Sequence, residues 1–162
     1  MPFNQLKRYN SLLDVDSLSG DQRNDSLKKI FKRDFLDSEN YYNNKLVTPT
    51  PKEGQVTMDV LFDHLTTKTE KKDTNSRFYD RERSIRLHWI KHHFCNADNI
   101  DVFSVKDKNS IRTYLHDINE NYVIIIEPKK DDLYYLITAY YIEGGNRKKI
   151  ENKKRRKLSS IY

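Results

Sequence analysis

The sequence predicts an α+β fold: N-terminal helices packed on a four-stranded antiparallel sheet, followed by a basic C-terminal helix. Three observations carry this. Two apolar blocks, VIII at 123–126 and LYYLITAYY at 133–141, flank a charged turn containing KKDD. β-branched and aromatic runs bounded in this way read as strands of a hairpin. Two stretches of helical period, at 55–68 and 80–94, precede them. The connections between successive strands are too short for a crossover, which favours an antiparallel meander with the helices on one face.

The composition bounds what this fold can be. A chain of 162 residues is one domain with room for an attached arm. Only 36% of it is apolar and 33% is charged, so a compact core is expected in part of the chain. No apolar stretch approaches the roughly 18–20 residues of a membrane span. The opening MPFNQLKRYN lacks the apolar block of a secretory signal, and a cytoplasmic protein is expected. A single cysteine, Cys95, excludes an internal disulfide and a thiolate metal cluster. Beside Phe94 it is expected to be a half-buried structural thiol.

The net charge of +6 is concentrated at one place. Residues 147–157 hold eight Lys or Arg and one Glu, whereas the rest of the chain has 22 basic and 23 acidic residues. Lys148, Lys149, Lys153, Lys154, Arg155 and Arg156 therefore form a candidate phosphate-tracking segment. The same composition also suits a solvated terminal helix.

In chain order, residues 1–50 are predicted to be a polar arm, distinct from a main domain over 51–162. The arm carries one short amphipathic helix, with Leu27, Ile30, Phe31 and Phe35 at helical spacing, suited either to docking on the main body or to binding a partner. YYNNKLVTPTPKEG reads as a linker or an extended crossing segment because of its prolines and glycine. The helix over 55–68 places Thr57 as N-cap and Asp59 in the first turn, where a carboxylate suits the helix dipole. His64 falls between the directions of Val60 and Leu61, toward the core, and is either a satisfied core histidine or part of a site. KTEKKDTNS reads as a charged loop.

The second helix, over 80–94, has a broad apolar arc of Ile85, Leu87, Trp89, Ile90 and Phe94. Arg86 and His93 point into its middle and Arg83 lies near its edge. A guanidinium cannot shed its charge, so Arg86 must be paired or face a wet cleft. His88 and His92 project to the polar side at i, i+4 spacing. HWIKH lacks the glutamate that zinc hydrolases place between such histidines, which speaks against a metal. Strands follow at 100–105, 111–117, 120–127 and 133–142. Arg112 and Tyr114 share one face of the second, and Thr138 and Tyr140 share one face of the fourth. Arg112 and Tyr114 suit either a site or an ordinary cation–aromatic pair. Thr138 is either satisfied locally or exposed to a site.

The ordered set RERSIRLHWIKHHF, RTYL, YVIIIEP and YYLITAYY resembles the nuclease fold shared by barnase, EndoU, the tRNA-cleaving colicins and RelE (BECR), in its phage-associated and polymorphic-toxin branches. The likeness spans about residues 55–158. It implies metal-independent cleavage of RNA, possibly tRNA, by attack of the ribose 2′-hydroxyl on the adjacent phosphorus, with no cofactor. It further implies a last-strand hydroxyl at Thr138 with Tyr140 beside it, strand and helix arginines at Arg112, Arg83 and Arg86, and His64 as acid or base. The expected partners are RNA and a protein antitoxin or host protein held by the N-terminal arm, with no membrane. The competing classes are a non-enzymatic nucleic-acid-binding protein working through residues 147–157, and a protein-interaction module or inhibitor.

Overall fold

A computed structural model describes residues 2–69 and 76–162. The α+β class holds, but the main sheet has six strands and is mixed. Its order is β1 (Asn40–Tyr42), β2 (Lys45–Pro49), β8 (Leu133–Tyr141), β7 (Tyr122–Lys129), β6 (Ser110–Asp117) and β5 (Asp101–Asp107). Strands β5 to β8 form the expected antiparallel meander. The two extra strands come from the presumed linker. Tyr42 pairs with Lys45 across Asn43 and Asn44, which both have positive φ, 52° and 61°. Asn tolerates that conformation, and two such residues close a tight hairpin. β2 then runs parallel to β8, from Leu46 opposite Leu133 to Pro49 opposite Leu136.

Residues 1–50 are accordingly part of the folded body rather than an arm beside it. Ser19 caps α1 (Gly20–Phe31) in a reciprocal capping box with Gln22. Leu13, Val15, Leu27, Ile30, Phe31, Phe35 and Val47 are buried in the same core as Ile85, Leu87 and Trp89. The Leu13 amide donates to the Ile85 carbonyl at 3.0 Å, and the Trp89 indole donates to the Ser11 carbonyl at 3.1 Å. Tyr9 donates to Asp117 at 2.5 Å, and His93 meets the same carboxylate oxygen at 2.9 Å.

α2 (Thr57–Thr66) begins one residue earlier than a Thr57 N-cap would give, with Val56 at the N-cap position. Of the expected charged loop, residues 70–75 lie outside the described residues. Its flanks, β3 (Thr67–Thr69) and β4 (Arg77–Tyr79), form a small antiparallel pair. The single helix expected over 80–94 is broken into α3 (Arg81–Ser84) and α4 (Trp89–Cys95). Between them the Arg86, Leu87 and Trp89 amides bond three residues back, to Arg83, Ser84 and Arg86. These tighter turns shift the angular phase of everything after Ile85. His88, expected on the polar side, is therefore buried at 5% exposure. Cys95, the last residue of α4, is exposed rather than half-buried.

The sheet is covered on both faces, which corrects the expectation of helices on one face alone. Leu115, Tyr122, Ile124, Ile126, Tyr134, Leu136 and Ala139 pack with α1, α2 and the α3–α4 segment. Phe103, Val105, Tyr114, Val123 and Ile125 face the other way and meet Ile150 of α5 (Gly145–Arg155). No helix among the described residues is long and apolar enough to cross a membrane.

Candidate functional site

The candidate site lies where β8 outruns its neighbour. β2 pairs with β8 only as far as Leu136, so residues 137–141 are bonded to β7 alone. A bulge between Ile125 and Ile126 inserts Ile137 as an unpaired residue of β8. Such an insertion re-aims the side chains that follow. Thr138 lies opposite Ile125, and Tyr140 opposite Val123.

Arg83 of α3 reaches this free edge. Its backbone amide is capped by the Asp80 side chain at 3.2 Å, and its Nε faces the same carboxylate at 3.3 Å. Its Nη1 donates to the His64 carbonyl at 3.0 Å and lies 3.4 Å from Thr138 Oγ1. The guanidinium sits 5.6 Å from the Tyr140 ring centre. Arg77 approaches from β4, bonding the Thr67 carbonyl at 2.8 Å and the His64 carbonyl at 3.4 Å. Two guanidinium groups thus meet the last carbonyls of α2, the negative end of that helix.

This geometry sets the ionisation of the site. Burial, reinforced by Arg77 and Arg83, lowers His64 to about 4, so its ring is neutral at pH 7. Burial also lowers Arg83, though a guanidinium so far above neutrality keeps its charge. Burial raises Tyr140 against the opposing effect of Arg83, so its hydroxyl keeps its proton.

Three of the predicted residues therefore come together, Arg83, Thr138 and Tyr140, and His64 meets Arg83 through its backbone carbonyl. Arg86 does lie buried, as its place on the apolar arc implied, and its contacts are with two residues of the adjoining wall rather than with Thr138. There it bonds Glu82 at 2.8 Å and covers the Tyr141 ring at 3.9 Å. Arg112 does not join the cluster. It sits on β6 with Glu127 at 3.8 Å, and Tyr114 beside it stacks on Phe103 at 5.1 Å rather than pairing with it. A cleft of about 90 Å³ opens between Lys68, Arg83, Tyr140 and Tyr141, with Asp80, Glu82 and Glu143 also on its wall, while His64 and Thr138 are not among its lining residues. That volume holds about three waters, the scale of a phosphate group rather than a base.

In the basic segment, Lys148, Lys149, Arg155 and Arg156 are exposed. Lys153 instead bonds Asp107 at 2.8 Å, and Lys154 bonds Asp101. Those two lysines fasten α5 across β5. Arg77, which shares the His64 carbonyl, was missed in the sequence. Its only signal there is the basic run RFYDRER, and its contact depends on a hairpin that a charged sequence conceals. Comparison with protein-family models, with curated proteins and with solved structures finds no match to this chain.

Proposed function

We propose that this chain binds RNA and cleaves it without a metal ion, at the free end of β8. The observation that carries the reading is the contact of Arg83 with Thr138 beside a neutral His64. Cleavage by a 2′-hydroxyl needs a base, a proton donor and cations for the phosphorane. His64 takes the 2′-hydroxyl proton as the 2′-oxygen bonds to phosphorus. Arg83 and Thr138 donate hydrogen bonds to the non-bridging oxygens. Tyr140, which keeps its proton, gives it to the departing 5′-oxygen. The products are a 2′,3′-cyclic phosphate and a 5′-hydroxyl, and the resemblance to the BECR nucleases supports the same reading.

A second reading is favoured by a different observation. Arg86 and Arg112 both face carboxylates, while Lys148, Lys149, Arg155 and Arg156 in the α5 region stand exposed at the surface. On that reading the chain holds nucleic acid without cutting it, and the positive surface of α5 is the contact. The deciding experiment is incubation of the purified protein with total RNA and with tRNA in EDTA, followed by mapping of any cleaved ends. New 2′,3′-cyclic phosphate ends that vanish in Arg83→Ala support cleavage. Intact RNA over a wide range of protein concentration, together with salt-sensitive binding, supports the second reading.

A further inference from the structure

A second, larger cleft lies away from β8. It opens between the N-terminal segment, the turn Lys32–Leu36 and α4, and has a volume of about 680 Å³. Clefts of roughly 300–1,000 Å³ accommodate small ligands. It shares no lining residue with the cleft beside Arg83.

Its charge is strongly one-sided. Lys7, Arg8, Arg33 and Lys91 line it, and Asp34 is the one carboxylate among the lining residues. Asp34 is already engaged by Arg33, at 2.7 and 3.0 Å. Lys91 is held only by neutral acceptors, the Glu39 carbonyl at 3.3 Å and Asn40 Oδ1 at 3.2 Å. An excess of three positive charges therefore surrounds the opening.

Two further features point to what it takes. His88 lines the cleft at 5% exposure, with the Arg8 and Ser11 carbonyls within reach of its ring. Burial lowers it to about 4 against the raising effect of those two carbonyls, so the ring is neutral at pH 7 and keeps one nitrogen as an acceptor. On the adjoining wall, the Tyr9 and His92 rings stack at 4.1 Å and 10°. Aromatic surface beside cations is what a nucleobase with its phosphate selects.

We propose that this cleft binds a nucleoside phosphate, with Lys7, Arg8 and Lys91 holding the phosphate, the Tyr9–His92 stack receiving the base, and His88 bonding a polar edge of the ligand. The ligand is either a free nucleotide or one nucleotide unit of a single RNA strand. The site stands whether or not RNA is cleaved at β8, because no residue is common to the two.

The test is calorimetric titration of the full chain with adenosine 5′-monophosphate, adenosine, inorganic phosphate and a single-stranded RNA decamer. Trp89, the only tryptophan, provides a second signal, because its ring lies 5.1 Å from Tyr9. The monophosphate is expected to bind at least tenfold more tightly than adenosine. The exposed or half-exposed pair Lys7→Ala/Arg8→Ala should weaken it at least tenfold with an unchanged melting temperature. Lys148→Ala/Lys149→Ala on α5 should leave it unaltered. His88→Gln, which keeps donor and acceptor groups, should retain more binding than His88→Phe. Competition by the decamer identifies an RNA strand as the source, and its absence identifies a free nucleotide. The proposal is overturned if the monophosphate does not bind at millimolar concentration or binds no better than adenosine. It is also overturned if Lys7→Ala/Arg8→Ala has no effect.

Discussion

Arg83 Nη1 stands 3.4 Å from the hydroxyl of Thr138, across a separation of 55 residues, and the same nitrogen holds the His64 carbonyl at 3.0 Å. One guanidinium therefore ties the end of α2 to the free edge of β8. Any ligand meeting Thr138 also meets a positive charge that is only 18% exposed.

Arg83→Ala should reduce RNA cleavage in EDTA by about 10²-fold or more, the range for losing one preorganised donor. It also removes the side-chain partner of Asp80, which keeps its bond to the residue-83 amide, at a cost of about 1 kcal/mol in stability. Thr138→Val separates the two effects. It should lower the cleavage rate about tenfold while changing unfolding free energy by about 1 kcal/mol or less. Single-turnover rates together with urea unfolding check both variants. Equal rates for Thr138→Val and the parent chain would remove the hydroxyl from the chemistry.

Stability should depend on pH through His64 and His88. Both are lowered to about 4 from 6.5 by burial. Above pH about 6.5 neither state binds the proton, and stability is flat. Between about 6.5 and about 4 the unfolded chain takes up protons that the folded chain refuses, so stability falls as pH falls. Each histidine contributes on the order of 2 kcal/mol after allowance for solvent screening. Urea midpoints measured from pH 7.5 to 5 should fall with pH. The double variant His64→Gln/His88→Gln should show a flatter profile, and an unchanged slope would contradict the assignment.

The N-terminal residues should be required for folding. Leu13 and Val15 are 3% exposed, and each such burial contributes about 1.5–3 kcal/mol. The buried His93–Asp117 pair also depends on this segment, because Tyr9 donates to the same carboxylate. Deleting residues 2–18 should abolish cooperative unfolding. Asp117→Asn alone should cost about 1–3 kcal/mol, since it disrupts the buried bonds that Tyr9 and His93 make to this carboxylate. Circular-dichroism melts of both variants test this.

The exposed cations of the α5 region should act on salt dependence. Replacing Lys148, Lys149, Arg155 and Arg156 by Ala should lower the slope of log K against log salt by up to about 0.7 for each phosphate these side chains neutralise on single-stranded RNA. Lys153→Ala and Lys154→Ala should instead weaken the packing of α5, each by about 1 kcal/mol or less. Filter binding at several salt concentrations separates the two groups.

Much of the sheet was legible from the sequence. Strands β5 to β8 fall within about two residues of the expected bounds, because period-two alternation and β-branched blocks are local signals. Arg86 is buried and paired for the reason its apolar arc gave. β1 and β2 were hidden because Asn43–Asn44 and the prolines after them read as a linker, although two adjacent asparagines also suit a tight hairpin turn. The separation of Arg112 from Thr138 was not legible. It depends on strand order, and the place of Thr138 depends on a bulge at Ile137 that no local pattern announces. The burial of His88 follows from the break after Ser84 and from docking of the N-terminal segment, both products of tertiary packing.

The parallel pairing of β2 with β8 has a consequence for how the chain comes off the ribosome. Leu46 leaves the exit tunnel well before Leu133, its partner in register. At the ordinary pace of synthesis that interval is on the order of ten seconds. During it, Leu27, Ile30, Phe31 and Val47 have emerged without the strands they pack against. The nascent N-terminal third is thus a substrate for chaperones until the last hairpin is made, and a message that pauses between codons 50 and 133 should yield more aggregated product.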